Sequence, residues 1–227
     1  MSRRILLIPA VTLLFSGVQA SAQVLTFQGL QNLEAIENFY NGGTGSDGDS
    51  GTNYGISFAS NALAIISHAA GGTGNFSGAP GGDTIAFFAN GTADTMDVAA
   101  GFNTGFSFDY SATEAGSVTV WSGLDGTGTE LASIALNPNT PGTNPGCSSS
   151  GTTYCTWTPI GVSFAGTAES VLFSGAADFI GFSDITINSA TAGSTGMPES
   201  GSLGLIPLEL AVFGLAGVLG KKFTRFA

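Results

Sequence analysis

Short alternations of apolar and polar residues, each bounded by glycine, recur along the middle of this chain. The clearest are Gly105-Phe106-Ser107-Phe108-Asp109-Tyr110, Ser117-Val118-Thr119-Val120-Trp121 and Ser133-Ile134-Ala135-Leu136, where every second side chain is apolar, the period of a strand with one buried face. Similar runs mark Val24 to Phe27, Gly55 to Phe58, Leu63 to Ile66, Thr84 to Phe88, Thr95 to Val98, Gly161 to Phe164, Ser170 to Phe173 and Phe179 to Ile187. Gly-rich turns separate them, so the pattern predicts an all-β, antiparallel β-sandwich of about ten short strands, of jelly-roll type. Leu33 to Tyr40 is the one stretch with a helical reading. Between Trp121 and Leu131, Asp125-Gly126 supplies hairpin turn chemistry, and the length of the loop predicts a bulged or wide connection rather than a tight one.

Two apolar runs break the alternation. Ile5 to Val18 follows Arg3 and Arg4 and ends at Ala20-Ser21-Ala22, the charged, apolar and small-residue order of a secretory signal peptide, so residues 1–22 are expected to be removed and the mature protein to begin at Gln23. The second run, residues 203–220, precedes Lys221, Lys222 and Arg225; as a helix it would reach about 27 Å, enough to span a bilayer core of roughly 30 Å. Those five Lys and Arg are all that the chain has. Positive charge therefore serves membrane orientation at the two ends and nothing in the folded part. Residues 23–190 are expected to form one sandwich domain, 191–196 a linker and 197–227 the anchor segment, with its basic tail at 221–227.

Ahead of the second run stands Met197-Pro198-Glu199-Ser200-Gly201. A short polar motif, one apolar span and a basic tail resemble the PEP-CTERM sorting signal, with Pro198, Glu199 and Ser200 as its motif. The resemblance implies recognition by an exosortase-type protease after signal peptidase has acted, a membrane-anchored intermediate held by residues 203–220, and then residence at the cell surface or outside it. Two departures bear on processing: Ser200 stands where the family usually has a second proline, and Glu209 interrupts the span. The plain alternative is an ordinary C-terminal anchor. Asn38-Phe39-Tyr40-Asn41-Gly42-Gly43-Thr44-Gly45, Gly51-Thr52-Asn53-Tyr54-Gly55-Ile56-Ser57-Phe58, Val98-Ala99-Ala100-Gly101-Phe102 and Thr156-Trp157-Thr158-Pro159 are similar to passenger domains of such proteins. That likeness implies a place in the cell envelope or extracellular matrix, beside exopolysaccharide and biofilm. The run Phe179 to Ile187, with Asp184 among apolar residues, resembles the closing strand of galactose-binding-like sandwiches.

Charge narrows the partners. The chain has 16 Asp and Glu against five Lys and Arg, for a net charge of −11, and its body lacks any cation that could hold a phosphate or an acidic lipid surface, so nucleic acid is excluded as a partner of the domain. Any buried carboxylate there needs a metal or backbone N–H groups. Asp47, Asp49 and Asn53 offer hard oxygen ligands on a Gly-rich loop suited to structural calcium, with Asp184 a distant further ligand by analogy with calcium-binding sandwiches. The competing reading is a solvated acidic loop, and no EF-hand spacing is present. No other cofactor is expected.

Cys147 and Cys155 are the only cysteines, and in an exported chain they predict a disulfide. Two thiols without a nearby His make at most half a zinc site. The body has one His, His68, and no Gly-x-Ser-x-Gly elbow, so nucleophilic catalysis finds no support; a pair of acids brought together for glycan hydrolysis is the enzyme alternative that spacing leaves open. Polysaccharide is compatible with the charge, and sugars stack on aromatic faces. Trp121, Trp157, Tyr40, Tyr54, Tyr110 and Tyr154 are the candidates, of which Trp121 is expected in the core and Trp157 and Tyr154, beside the cysteine loop, are the glycan contacts to examine. The expectation is a non-enzymatic envelope or matrix protein, with a carbohydrate-binding module as the alternative.

Overall fold

The computed structural model describes residues 21–140, 147 and 152–195. The signal segment, the sorting motif Pro198-Glu199-Ser200, the span 203–220 and the basic tail lie outside the described residues; within them no helix is long and apolar enough to cross a membrane.

Eleven strands form: β1 (Gln23–Leu25), β2 (Ile56–Phe58), β3 (Ala62–Ile66), β4 (Thr84–Phe88), β5 (Ala93–Phe102), β6 (Gly105–Ala112), β7 (Gly116–Trp121), β8 (Glu130–Leu136), β9 (Thr158–Ser163), β10 (Ala168–Gly175) and β11 (Ile180–Ile187). All pair antiparallel in two sheets. One runs β3-β4-β11-β6-β9 with β1 also on β11, the other β2-β5-β10-β7-β8. From β4 onward the chain crosses repeatedly between sheets, so every large apolar face finds an opposite sheet to cover it. β1 begins at Gln23, the expected first residue of the mature chain.

The core lies between the sheets. Phe106, Phe108 and Tyr110 of β6, Phe173 of β10 and Phe182 of β11 interlock there, with Phe173 and Phe182 edge to face at 4.9 Å between centroids. Such pairs add about 0.5–1.5 kcal/mol beyond the area they bury. The predicted β7–β8 hairpin is present, with a register shift between Val120 and Trp121 that supplies the expected bulge.

Three expectations need correction. Leu33 to Tyr40 is not helical: Leu33 and Glu37 take left-handed φ values of 68° and 41°, and the N–H groups of Leu33 and Ile36 bond to the carbonyls of Ala64 and Ala62, so the segment lies against β3 with isolated turns rather than a helix. Trp121 is half-buried and outside the core cluster, because β7 turns Val118 and Val120 inward and its alternate positions outward. Tyr40 and Tyr110 are buried rather than exposed; the Tyr40 hydroxyl accepts the Phe27 N–H at 2.7 Å, and burial pushes its phenol above the usual range. The start of the expected linker also packs, since the Gly193 N–H donates to Thr186 Oγ1 at 3.1 Å.

Candidate functional site

Since Phe106, Phe108 and Tyr110 face the core, Ser107, Asp109 and Ser111 face the back of the six-stranded sheet. On β11, Ser183 and Thr186 share that side, with Asp184 the extra residue of a bulge, at φ 48°. These polar residues are buried all the same, because loops cover them. The Gly81 N–H donates to Ser183 Oγ at 3.0 Å, Ser107 Oγ donates to the Ser189 carbonyl at 3.0 Å, and Ser111 shares a 2.8 Å bond with Thr140. Asn139 bridges β6 and β9, its side-chain amide reaching the Tyr110 carbonyl and Thr158 Oγ1.

Between this cover and strands β3, β4 and β11 opens a cleft of about 330 Å³, near the small end of ordinary ligand sites, roughly 300–1,000 Å³. Ile65, Ile85, Phe87 and Ile180 line it from the six-stranded sheet; Thr73, Asn75, Phe76, Tyr154 and Asp178 line it from the loops. Gly181 lines it too, and a Cβ there would stand 2.8 Å from Ile85 Cδ1 and 3.5 Å from the Trp157 ring. The absence of a side chain at Gly181 therefore helps to keep the space open.

Long-range bonds fix the walls. The Cys147–Cys155 disulfide forms, with Cα atoms 5.6 Å apart, and ties down the segment that carries Tyr154. The N–H groups of Thr153 and Tyr154 both donate to the Asn75 carbonyl, and the Tyr154 carbonyl accepts the Ser77 N–H. At the far end of the ring, the Tyr154 hydroxyl lies 3.1 Å from Thr113 Oγ1 and donates to the Asp178 carbonyl at 3.2 Å. Thr73 is set by Asn32, whose side-chain oxygen accepts both the Thr73 and Ile66 N–H groups.

Of the two aromatics expected at a ligand, Tyr154 lines the cleft. Trp157 stands behind it: its indole N–H donates to the Ser77 carbonyl at 3.0 Å, and its ring meets Phe76 edge to face at 6.1 Å. Phe87, Asn75 and Asp178 were not singled out from sequence; alternation put Phe87 opposite Ala86 and Phe88, but nothing local joins residues 75 and 154.

The expected calcium ligands do not converge. Asp47, Asp49 and Asp184 form no three-ligand group among the described residues. The Asp47 N–H instead donates to the Glu34 carboxylate, the Asp49 carbonyl accepts the Gly45 N–H, and Asn53 Oδ1 accepts the Gly55 N–H at 2.9 Å. Asp184 faces Asp109 under the loop cover: burial, then the charge of Asp184, pushes the Asp109 carboxyl up to about 6, and burial also raises Asp184. Both are buried, which closes this pair of acids to a polymer chain.

One further carboxyl lies within the sandwich. Asp94 occupies an inward position of β5, paired with Phe173, in a small void shared with Phe58, Phe88 and Phe182. Its Oδ1 is buried without a hydrogen bond, and burial pushes its carboxyl up to about 7, against the pull of the Thr95 N–H and with a small push from Asp97.

No protein-family profile matches the sequence, and no curated relative matches it. Solved structures do. The K2 cleaved adhesin domain of Lys-gingipain is 15% identical with a TM-score of 0.48, over 74% of this chain and 99% of that one. A mutant of a family 29 carbohydrate-binding module is 14% identical with a TM-score of 0.38, over 78% and 94%. A family 6 carbohydrate-binding module is 18% identical with a TM-score of 0.35, over 58% and 85%. Similarity at this level assigns neither a family nor a ligand.

Proposed function

We propose that this protein is an exported, non-catalytic carbohydrate-binding domain, a jelly-roll sandwich of the galactose-binding-like kind, acting at the cell envelope or in the extracellular matrix. The observation that carries the reading is the cleft itself: Phe76, Phe87 and Tyr154 supply aromatic surface, while Thr73, Asn75 and Asp178 supply hydrogen-bonding groups at its edge. Sugars present apolar C–H faces and a ring of hydroxyls, and such a mixture suits both. The interleaved strand order supports the jelly-roll assignment. Asp178 is the one carboxylate among the lining residues, whereas glycoside hydrolysis ordinarily needs two flanking the bond; this supports binding without turnover. Delivery is assigned to signal peptidase and an exosortase-type protease, from the order of motif, span and basic tail in residues 197–227.

Glycan-array screening followed by titration calorimetry tests the site. Tyr154→Ala and Phe87→Ala should each weaken a glycan by about tenfold or more, the loss expected when one stacking surface worth at least 1.4 kcal/mol is removed, with the circular dichroism of the fold retained. A chain that binds no glycan, or binds equally well without Tyr154, would remove the reading. Intact mass from membrane and medium tests delivery separately: loss of residues 1–22 and of the tail beyond the motif is expected, and retention of 203–227 would leave a plain anchor.

A further inference from the structure

The cleft is an apolar and hydroxyl-lined space with one formal charge on its wall. That charge is Asp178, and it is held by its backbone. Its N–H donates to the Phe88 carbonyl at 3.0 Å, its carbonyl accepts the Tyr154 hydroxyl, and its φ of 66° lies in the left-handed region. The Asp178 side chain is exposed at the cleft, and Tyr154, whose hydroxyl meets Asp178's own carbonyl, stands beside it in the wall. An anion beside aromatic faces attracts an ammonium group twice, through direct charge and through the ring quadrupole.

The rest of the chain reinforces this selection. Between Arg4 and Lys221 there is no Lys or Arg, so none of the described residues offers an ammonium or guanidinium group to pair with a uronate carboxylate or a sulfate. Such polymers approach a surface of their own sign and are repelled. A neutral sugar escapes the repulsion but meets Asp178 through hydrogen bonds alone, without a charge pair.

We infer that the cleft selects a glycan with free amino groups, an oligomer or polymer of 2-amino-2-deoxyhexose, over its N-acetylated and neutral counterparts and against uronates. This rests on the glycan-binding reading above, and the two fail differently. The purified full-length protein is titrated with four soluble tetramers: glucosamine, N-acetylglucosamine, glucose in β-1,4 linkage, and galacturonate. Spermine, a polyamine without sugar rings, is the fifth probe.

The glucosamine tetramer should bind about two- to fivefold more tightly than its N-acetylated form at low salt, the worth of one charge pair near a surface. Asp178→Asn should bring the glucosamine affinity down to that of the N-acetylated tetramer. Asn accepts left-handed φ readily, so the variant keeps the turn. Asp125→Asn, in the β7–β8 loop, should change nothing. Equal or tighter binding of the neutral or N-acetylated tetramer, or of galacturonate, would overturn the substrate class and leave glycan binding standing. Binding of spermine as tight as that of glucosamine, with Asp178→Asn silent, would reduce the preference to bulk charge and also overturn it. Failure of all four tetramers would remove the glycan reading itself.

Discussion

The two sheets present very different backs. Behind the six-stranded sheet, Ser107, Ser111, Ser183 and Thr186 are fully buried; the three serines take partners from loops far away in sequence, and Thr186 from Asp184 and Gly193 nearby. Behind the five-stranded sheet, Thr95, Asp97, Ser117 and Thr119 are half-buried, and its cover among the described residues includes the β7–β8 loop, where the Asp125 N–H meets Asp97 Oδ1 and the Gly126 N–H meets Ser170 Oγ. Both backs are polar, so polarity alone does not tell which one is solvated. What distinguishes them is the supply of covering chain, and the cleft exists only where that cover stands off the sheet. The cleft lies on the same face of the molecule as these buried hydroxyls, under the loop segments that carry Thr73 to Phe76 and Tyr154.

The largest effect that bears on this contrast comes from the space between the sheets, which sets the scale for both backs. Asp94 keeps its proton up to about pH 7 when folded but releases it near pH 4 when unfolded. The unfolded state therefore binds fewer protons between those values, and folding stability falls as the pH rises from about 4 to 7. The full change is on the order of 4 kcal/mol. Asp94→Asn should remove most of that slope in urea midpoints measured across the range; an unaltered slope would mean that the carboxyl is not sealed from water. Asp109, on the covered back, adds a slope of the same sign that ends near pH 6, and Asp109→Asn should remove only that part.

Next in size is the disulfide. Reduction, or Cys155→Ser, should cost about 2–3 kcal/mol by the chain-entropy estimate for so short a loop, and glycan affinity should fall with it, because Tyr154 precedes Cys155 directly. Affinity retained after reduction would show that the bonds to Asn75 and Ser77 suffice to hold the wall.

A direct test of the two backs substitutes one hydroxyl on each. Ser111→Val removes the 2.8 Å partner of the buried Thr140 hydroxyl, which keeps only a longer bond to Asn139 Oδ1 at 3.4 Å, and should destabilise by about 1–3 kcal/mol. Thr95→Val, on the more open back, should stay within about 0.5 kcal/mol. Equal effects in chemical denaturation would erase the distinction drawn here.

The smallest effect expected is at Trp157. Trp157→Phe keeps most of the packing on Phe76 but leaves the Ser77 carbonyl without its indole donor, for a loss of about 1 kcal/mol with little change in affinity. A large loss of affinity would place the indole in the site rather than behind it.

Much of the sandwich can be read from residue alternation. Phe106-Ser107-Phe108-Asp109-Tyr110 announces both its strand and its two faces, and Asp125-Gly126 announces the hairpin. Asp94 was readable as well: it shares the inward parity of Met96 and Val98, a polar residue in a core register. Strand ends were less legible. β5 continues through Ala99-Ala100-Gly101 to Phe102, where small residues carry no period. Leu33 to Tyr40 misled because its apolar spacing fits a helix, while its carbonyls and N–H groups find partners on β3 and at residues 44–58. The cleft was the least legible part, since it is built by contacts such as Phe76 with Tyr154, and no local rule brings positions so far apart together. Tyr154 drew attention only through its neighbouring cysteine.

The pairing of β1 with β11 has a mechanical consequence. Gln23 lies opposite Ile187 and Leu25 opposite Ile185, and Asn188 Nδ2 reaches the Ser21 carbonyl at 3.3 Å, so the chain enters and leaves the body at one corner. A pull applied between those two points would load the ladder one rung at a time, peeling it open like a zipper. A pull on one end alone, against a ligand seated in the cleft, would spread its load through the sheets instead. A tether at a single terminus is therefore the arrangement under which this body best withstands drag.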